Sequence, residues 1–251
     1  MRNSLKPFTV FAGLLTLWQL LTLSIDIPSY ILPGPDRVVV SLINNADLLW
    51  ENTLITLSEM LMGLVLGVIA GIILAITLVY FTGLRPWLLP VLLITQAIPT
   101  FAMAPILMLW FGYGLTSKVV MTMLMIFFPV ATCCYDGLRH THQDWLDMAS
   151  TMGSSKLTAM RYIRWPSALP ALASGLRVAV VVAPIGAVIG EWVGSSEGLG
   201  YVMLQANARL LTDQMFAALS VLAFCSVGLY AITDRLLRWL IPWQQETSHS
   251  H

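Results

Sequence analysis

Long apolar runs alternate with short polar or turn-rich segments along the chain, and six of the runs are long enough to matter: residues 8–25, 57–81, 86–111, 115–135, 173–192 and 216–241. Each approaches or exceeds the ~20 residues that a helix needs to cross the hydrocarbon core of a bilayer. Inside that core a helix satisfies its own backbone hydrogen bonds, which an open strand cannot do. The pattern therefore predicts an all-α integral membrane protein, a single transmembrane domain over residues 1–251 with six spans. The third run differs in texture, because Pro90, Pro99 and Pro105 interrupt it.

Small residues mark where helices meet. Gly63, Gly67 and Gly71 recur every fourth position in the second run, and Gly186, Gly190 and Gly194 do so in the fifth. Lipid gives helices no hydrophobic reason to associate, so close backbone approach over such faces supplies the packing. In the third run, each proline removes a backbone donor and frees a carbonyl upstream. Gln96 lies three residues before Pro99. An irregular helix with freed carbonyls and one amide suits the lining of a pathway, and it equally suits a buried kink with Gln96 bonded to a neighbouring helix.

Composition agrees with a membrane protein. Hydrophobic residues make up 57% and charged residues 10%, with a mean hydropathy of +0.79, where soluble domains carry about 25% charged residues. The zero formal charge gives no reason to expect nucleic-acid binding. Cys133, Cys134 and Cys225 lie in apolar runs and are expected to be small, unpaired, buried residues. The basic start with Arg2 and Lys6 resembles a signal peptide, but the apolar run behind it is longer than such peptides carry and no small-x-small cleavage site follows; it is expected to be a retained first span.

Basic residues give an orientation. With the N-terminus in the cytoplasm, ten fall inside or at inner helix ends: Arg2, Lys6, Arg85, Arg139, Lys156, Arg161, Arg164, Arg177, Arg235 and Arg238. Three fall outside: Arg37, Lys118 and Arg209. Both termini are then cytoplasmic. The first outer segment holds "LPGPDRVV", an extended entry leading into a short amphipathic helix. Glu59 and Glu191 are expected as interfacial charges, and Arg177 is expected to snorkel to the inner interface. The tail "QQETSHSH" reads as a polar end.

Between the fourth and fifth runs lies a polar interruption, residues 144–170. Trp145, Ala149 and Gly153 share a helical face, Asp144 can cap the first turn, "GSS" at 153–155 breaks the helix, Pro166 stops a second helical piece, and Pro170 redirects the chain into the fifth span. A short exposed helix with a small-residue face can dock in a partner's groove or lie on the membrane. This stretch resembles the EAA loop of ATP-binding-cassette importer permeases. Asp147, Met148 and Ala149 stand at the Glu-Ala-Ala positions, and Gly153, Ile163 and Pro166 fall at the family's spacing; Asp147 for Glu, Met148 for Ala and Trp165 for Leu depart from it. "QAIPTFAMAPILMLWFGYG" and "GEWVGSSEGLGYVM" resemble the nitrate, sulfonate, taurine and thiamine-precursor branch.

The resemblance implies a type I importer permease of the methionine-importer kind in the bacterial inner membrane. It implies a second permease copy as partner, two ATPase subunits gripping the loop through Asp147, Met148, Ala149, Gly153, Ile163 and Pro166, and a periplasmic or lipid-anchored substrate-binding protein. It makes Glu191 a candidate outer gate and Gln96, Pro99 and Pro105 candidate pathway residues. Likeness to thiamine-pyrimidine permeases makes a hydroxymethylpyrimidine-type precursor the expected solute, with sulfonate, taurine or nitrate as the alternative. The chain has no "GxxxxGK[ST]" loop, so ATP and its magnesium are expected on the partner and no cofactor here. A secondary transporter would need intramembrane carboxylates for ion coupling, and the apolar run centres offer almost none. A membrane enzyme would need a nucleophile–base set that is not visible. His140 and His142 in "RHTHQ" lack the further ligands of a metal site.

Overall fold

The computed structural model describes residues 5–24, 28 and 30–243, without some side chains of the first helix and those of residues 93, 96 and 97. Arg2, Asp26 and the tail with His249 and His251 lie outside the described residues. The regular elements among the described residues are helices: α1 Leu5–Ser24, α2 Pro35–Asn44, α3 Ala46–Tyr80, α4 Arg85–Ala97, α5 Ala104–Phe111, α6 Leu115–Arg139, α7 Gln143–Thr151, α8 Lys156–Ala159, α9 Trp165–Gly194, α10 Leu199–Ala208 and α11 Thr212–Leu240.

Among the described residues, four helical runs are long and apolar enough to cross a membrane: Ala46–Tyr80, Leu115–Arg139, Lys156–Gly194 and Thr212–Leu240. The third expected span is not one helix. α4 ends at Ala97, Ile98 and Pro99 are extended or irregular, a 3₁₀ turn runs over Thr100–Met103, and α5 restarts with Pro105 in its first turn. Proline cannot donate to the preceding turn, so the run breaks at Pro99. The second span begins earlier than its apolar pattern, because polar Asn52, Thr56 and Glu59 extend α3 toward its N-terminus.

The fifth span also differs from expectation. Pro166 does not stop the second loop helix. α8, a π turn over Met160–Arg164 and α9 form one unbroken 39-residue run, Lys156–Gly194. Pro166 lies in the first turn of α9, Pro170 and Pro184 lie within it, and the wider π turn sits one step before the first proline.

The two glycine ladders converge on α6, which sits between α3 and α9. A Cβ added at Gly63 would meet the Thr122 side chain at 2.5 Å, and one at Gly67 would meet Ile126 and the Met123 carbonyl at 2.9 Å. Across the other side, Gly186 lies against Thr122 and Gly190 against Lys118. The α3–α6–α9 core thus packs backbone to backbone. Leu78, Ile126, Val130, Cys134, Leu138 and Leu172 fill one end of the bundle, and Met60, Ala187, Leu199, Val202, Ala217 and Leu222 the other. Gly67→Val is expected to destabilise the bundle by about 1–3 kcal/mol, the usual cost of overpacking, read as a lowered unfolding temperature in detergent. Gly228→Ala, where a Cβ meets open space, should leave it unchanged.

The expected amphipathic helix is α2, with proline in its first turn and Val38 and Ser41 buried. All three cysteines are free, with Cys134 buried. Arg177 is paired: its Nε lies 2.8 Å from Asp234 on α11, and Arg238 takes the other carboxylate oxygen at 2.9 Å.

Candidate functional site

The polar loop forms one end of the bundle. α7 is preceded by His142 at the N-cap position with no side-chain cap, so Asp144 complements the helix dipole from the first turn but does not cap it. The helix ends where the "GSS" break was expected. Gly153 lies past the helix end with φ +76°, its N–H donates to Ser150 O at 3.0 Å, and Ser154 N–H donates to Ala149 O at 2.9 Å. This is a Schellman closure, which calls for glycine at the left-handed position. Gly153 serves the backbone and is not part of a flat helical face.

Ala149 is buried against the chain itself, whereas Met148 is 64% and Met152 78% exposed. Trp145, Leu157 and Asp147 also face outward, Asp147 accepting from Gln143 Nε2 at 2.9 Å. Of the face inferred from Trp145, Ala149 and Gly153, Ala149 turns inward, and the two methionines are the most exposed apolar side chains of α7 and its C-terminal cap. Ile163 sits half-buried in the π turn and Pro166 in the first turn of α9. Arg164 Nη1 donates to Leu138 O at 2.9 Å, tying this turn to the end of α6.

Near the break in the third span is an apolar cavity of about 340 Å³. Leu88, Leu92, Met103, Phe127 and Phe128 line it with Thr95 and Thr100. Pro99 and Pro105 flank the 3₁₀ turn beside it. The backbone of Gln96 is helical, and its side chain lies outside the described residues.

At the opposite end from the loop, the expected interfacial carboxylates are fully buried: Glu59 and Glu191 are 0% exposed. Glu191 Oε1 accepts from Thr56 Oγ1 at 2.6 Å, and Oε2 accepts from the Gly200 N–H at 2.5 Å and the Tyr201 N–H at 3.3 Å. Asn52 Oδ1 accepts from Gly198 N–H at 2.6 Å, and Thr56 Oγ1 from Leu199 N–H at 2.8 Å. The first turn of α10 is thus held by α3 and by a carboxylate at its N-terminus, where the helix dipole favours negative charge. Lys118 Nζ on α6 lies 2.5 Å from Glu59 Oε1 and donates to Ser195 Oγ at 3.0 Å. Four parts of the chain meet in this latch.

Residues 63–245 match the family described as binding-protein-dependent transport system inner membrane component. The chain belongs to that family. The permease is 53% identical to a "Probable ABC transporter permease protein" of Haemophilus influenzae, over 94% of its own length and 97% of the relative's. It is 34% identical to the formylaminopyrimidine transport permease ThiX of Halalkalibacterium halodurans, covering 97% and 98% of the two chains. It is 39% identical to the riboflavin permease RibX of Chloroflexus aurantiacus, covering 92% and 87%. Its fold resembles an inward-facing methionine transporter, MetNI, with a TM-score of 0.60 at 21% identity over 78% of this chain and 95% of that one. The permease is a multi-pass inner-membrane subunit that translocates a small organic solute and works with separate ATP-binding and substrate-binding subunits. It is a transport component and not an enzyme.

Sequence reasoning missed Asn52, Thr56 and Lys118. The signal was present on α3: Asn52, Thr56 and Glu59 continue upward along the face of the Gly63–Gly67–Gly71 ladder, at spacings of four, three and four. Polar residues on a packing face are buried partners of something. Elsewhere, His140 Nδ1 lies 2.8 Å from its own helix's Asp136 carbonyl oxygen and His142 packs by Trp145. Among the described residues no group of three metal-ligating side chains forms.

Proposed function

We propose that the permease carries a neutral, flat heterocycle, a pyrimidine precursor of thiamine of the hydroxymethylpyrimidine type, rather than a sulfonate or nitrate. The observation that carries this reading is the cavity beside the broken third span, whose lining is apolar and aromatic with two threonines and no charged side chain. A pyrimidine ring can stack on Phe127 or Phe128, whereas a sulfonate would lose its hydration without a cation to replace it. The full-length likeness to a formylaminopyrimidine permease supports it.

In this reading the pair is a homodimer, and the exposed surface of Met148 and Met152 docks on the ATPase, with Asp147 at its edge. Ala149, Gly153, Ile163 and Pro166 shape the loop from behind. The loop end and both termini face the cytoplasm, as the clustering of Arg85, Arg139, Lys156, Arg161 and Arg164 there supports. Glu191 and its latch then form the outer gate, and Gln96, Pro99 and Pro105 border the path. ATP and magnesium stay on the partner, and this chain holds no cofactor.

The test is uptake by proteoliposomes holding the complete transporter with its binding protein. Labelled hydroxymethylpyrimidine should accumulate only with ATP inside. Accumulation of taurine or an alkyl sulfonate, with none of the pyrimidine, would overturn the substrate reading.

A further inference from the structure

At the loop end, a small cavity of about 170 Å³ is lined by three arginines from three separate elements: Arg85 opening α4, Arg139 closing α6, and Arg164 in the π turn. Leu78, Val79, Thr82 and Tyr135 complete the lining. The ion pairs among the described residues involve Lys118, Arg177 and Arg238, so none of these three arginines has a carboxylate of a described residue within 4 Å. Arg164 spends one N–H on Leu138 O, and Arg85 stands over the Tyr135 ring at 5.8 Å. Tyr135 is 4% exposed, and its hydroxyl is buried with no hydrogen-bond partner.

Three arginines on one cavity, with no ion pair among the described residues, and an unpartnered buried hydroxyl beside them together describe a receptor for a tetrahedral oxyanion. Guanidinium forks match phosphate oxygens two at a time, and a phenol supplies one further donor. We propose that this pocket binds the phosphate of an anionic phospholipid. The source follows from depth. Tyr80, Phe81 and Trp87 flank the Arg85 turn and are exposed, Trp87 by 76%, and exposed aromatic residues at a span's end mark the headgroup level. Basic pockets between membrane helices are suited to anionic headgroups. The cavity admits the headgroup phosphate and leaves the acyl chains outside along α3 and α4. The ligand would bridge α4, α6 and the π turn, and so fix the base of the loop that carries α7. This inference does not depend on which solute is carried.

The experiment uses the full transporter purified in mild detergent, with lipid binding followed by native mass spectrometry. The probes are phosphatidylglycerol, phosphatidylethanolamine and inorganic phosphate. Wild type should retain phosphatidylglycerol over phosphatidylethanolamine. The double variant Arg85→Gln/Arg139→Gln should lose at least about tenfold in phosphatidylglycerol affinity, the consequence of removing two charge-assisted contacts. Tyr135→Phe, which keeps the packing, should weaken it less, and unchanged unfolding temperatures without lipid would show both variants folded. Equal phosphatidylglycerol retention by wild type and double variant would overturn the proposal. So would complete displacement by millimolar phosphate, which would make the site one for the free anion. Loss of the ATPase subunit from the double variant with lipid retention intact would also overturn it, assigning the arginines to a protein carboxylate.

Discussion

Glu191→Ala is expected to destabilise the permease by about 3 kcal/mol, in the range for removing one partner of a buried charged network. The cost comes from what remains. The N–H groups of Gly200 and Tyr201 lose their acceptor, and the Thr56 hydroxyl is left with the Asn52 carbonyl alone. Glu191→Gln keeps one acceptor oxygen but turns an amide donor toward groups that already donate, so it should fall between wild type and alanine. Unfolding temperature in detergent reads the order. The same series, with a cysteine reporter at buried Ala206 of α10, should show faster thiol labelling as the latch loosens. An alanine variant as stable as wild type and labelled no faster would mean that Glu191 holds nothing.

The second large effect lies at the other end. Met148→Asp with Met152→Asp should reduce ATP-driven uptake by more than about tenfold, as expected when apolar anchors at the centre of an interface become charged. Both side chains are mostly exposed in the free subunit, so the variant should fold and reach the membrane. Uptake and ATPase retention on a tagged permease are the readouts, and normal values for both would move docking elsewhere. Gly153→Ala is the contrasting change. It leaves the methionines in place but forces a side chain into the left-handed region, which costs about 1–2 kcal/mol, so its loss should show in loop stability as well as in uptake.

Much of this arrangement was legible in the sequence. Apolar runs located the four long helices, because a bilayer demands length and apolar composition together. The EAA-type spacing located the loop, and the two glycine ladders foretold close packing. What stayed hidden depends on three-dimensional neighbours. The sequence does not say that both ladders meet on α6, nor that Ala149 turns inward. The break at Gly153 was legible, but the Schellman bonds that close the helix there, and the left-handed backbone they need, were not. Glu59, Lys118 and Glu191 are far apart in the chain, and each alone reads as a charge near a membrane surface. Pro166 read as a stop, but the chain passes it in helical form, with a π turn over Met160–Arg164 just before it.

The unbroken run from Lys156 to Gly194 has a mechanical consequence. At 1.5 Å per residue, its 39 residues extend about 58 Å. One tip lies beside the arm that a motor subunit would hold, and the other carries the carboxylate that clamps α10. A tilt of about 5° at the first tip swings the second by about 5 Å at this length, more than a hydrogen bond can stretch. A single long strut, with its bonding interrupted at the π turn and at Pro166, Pro170 and Pro184, would convert a small push on one side of the membrane into the unclasping of a door on the other.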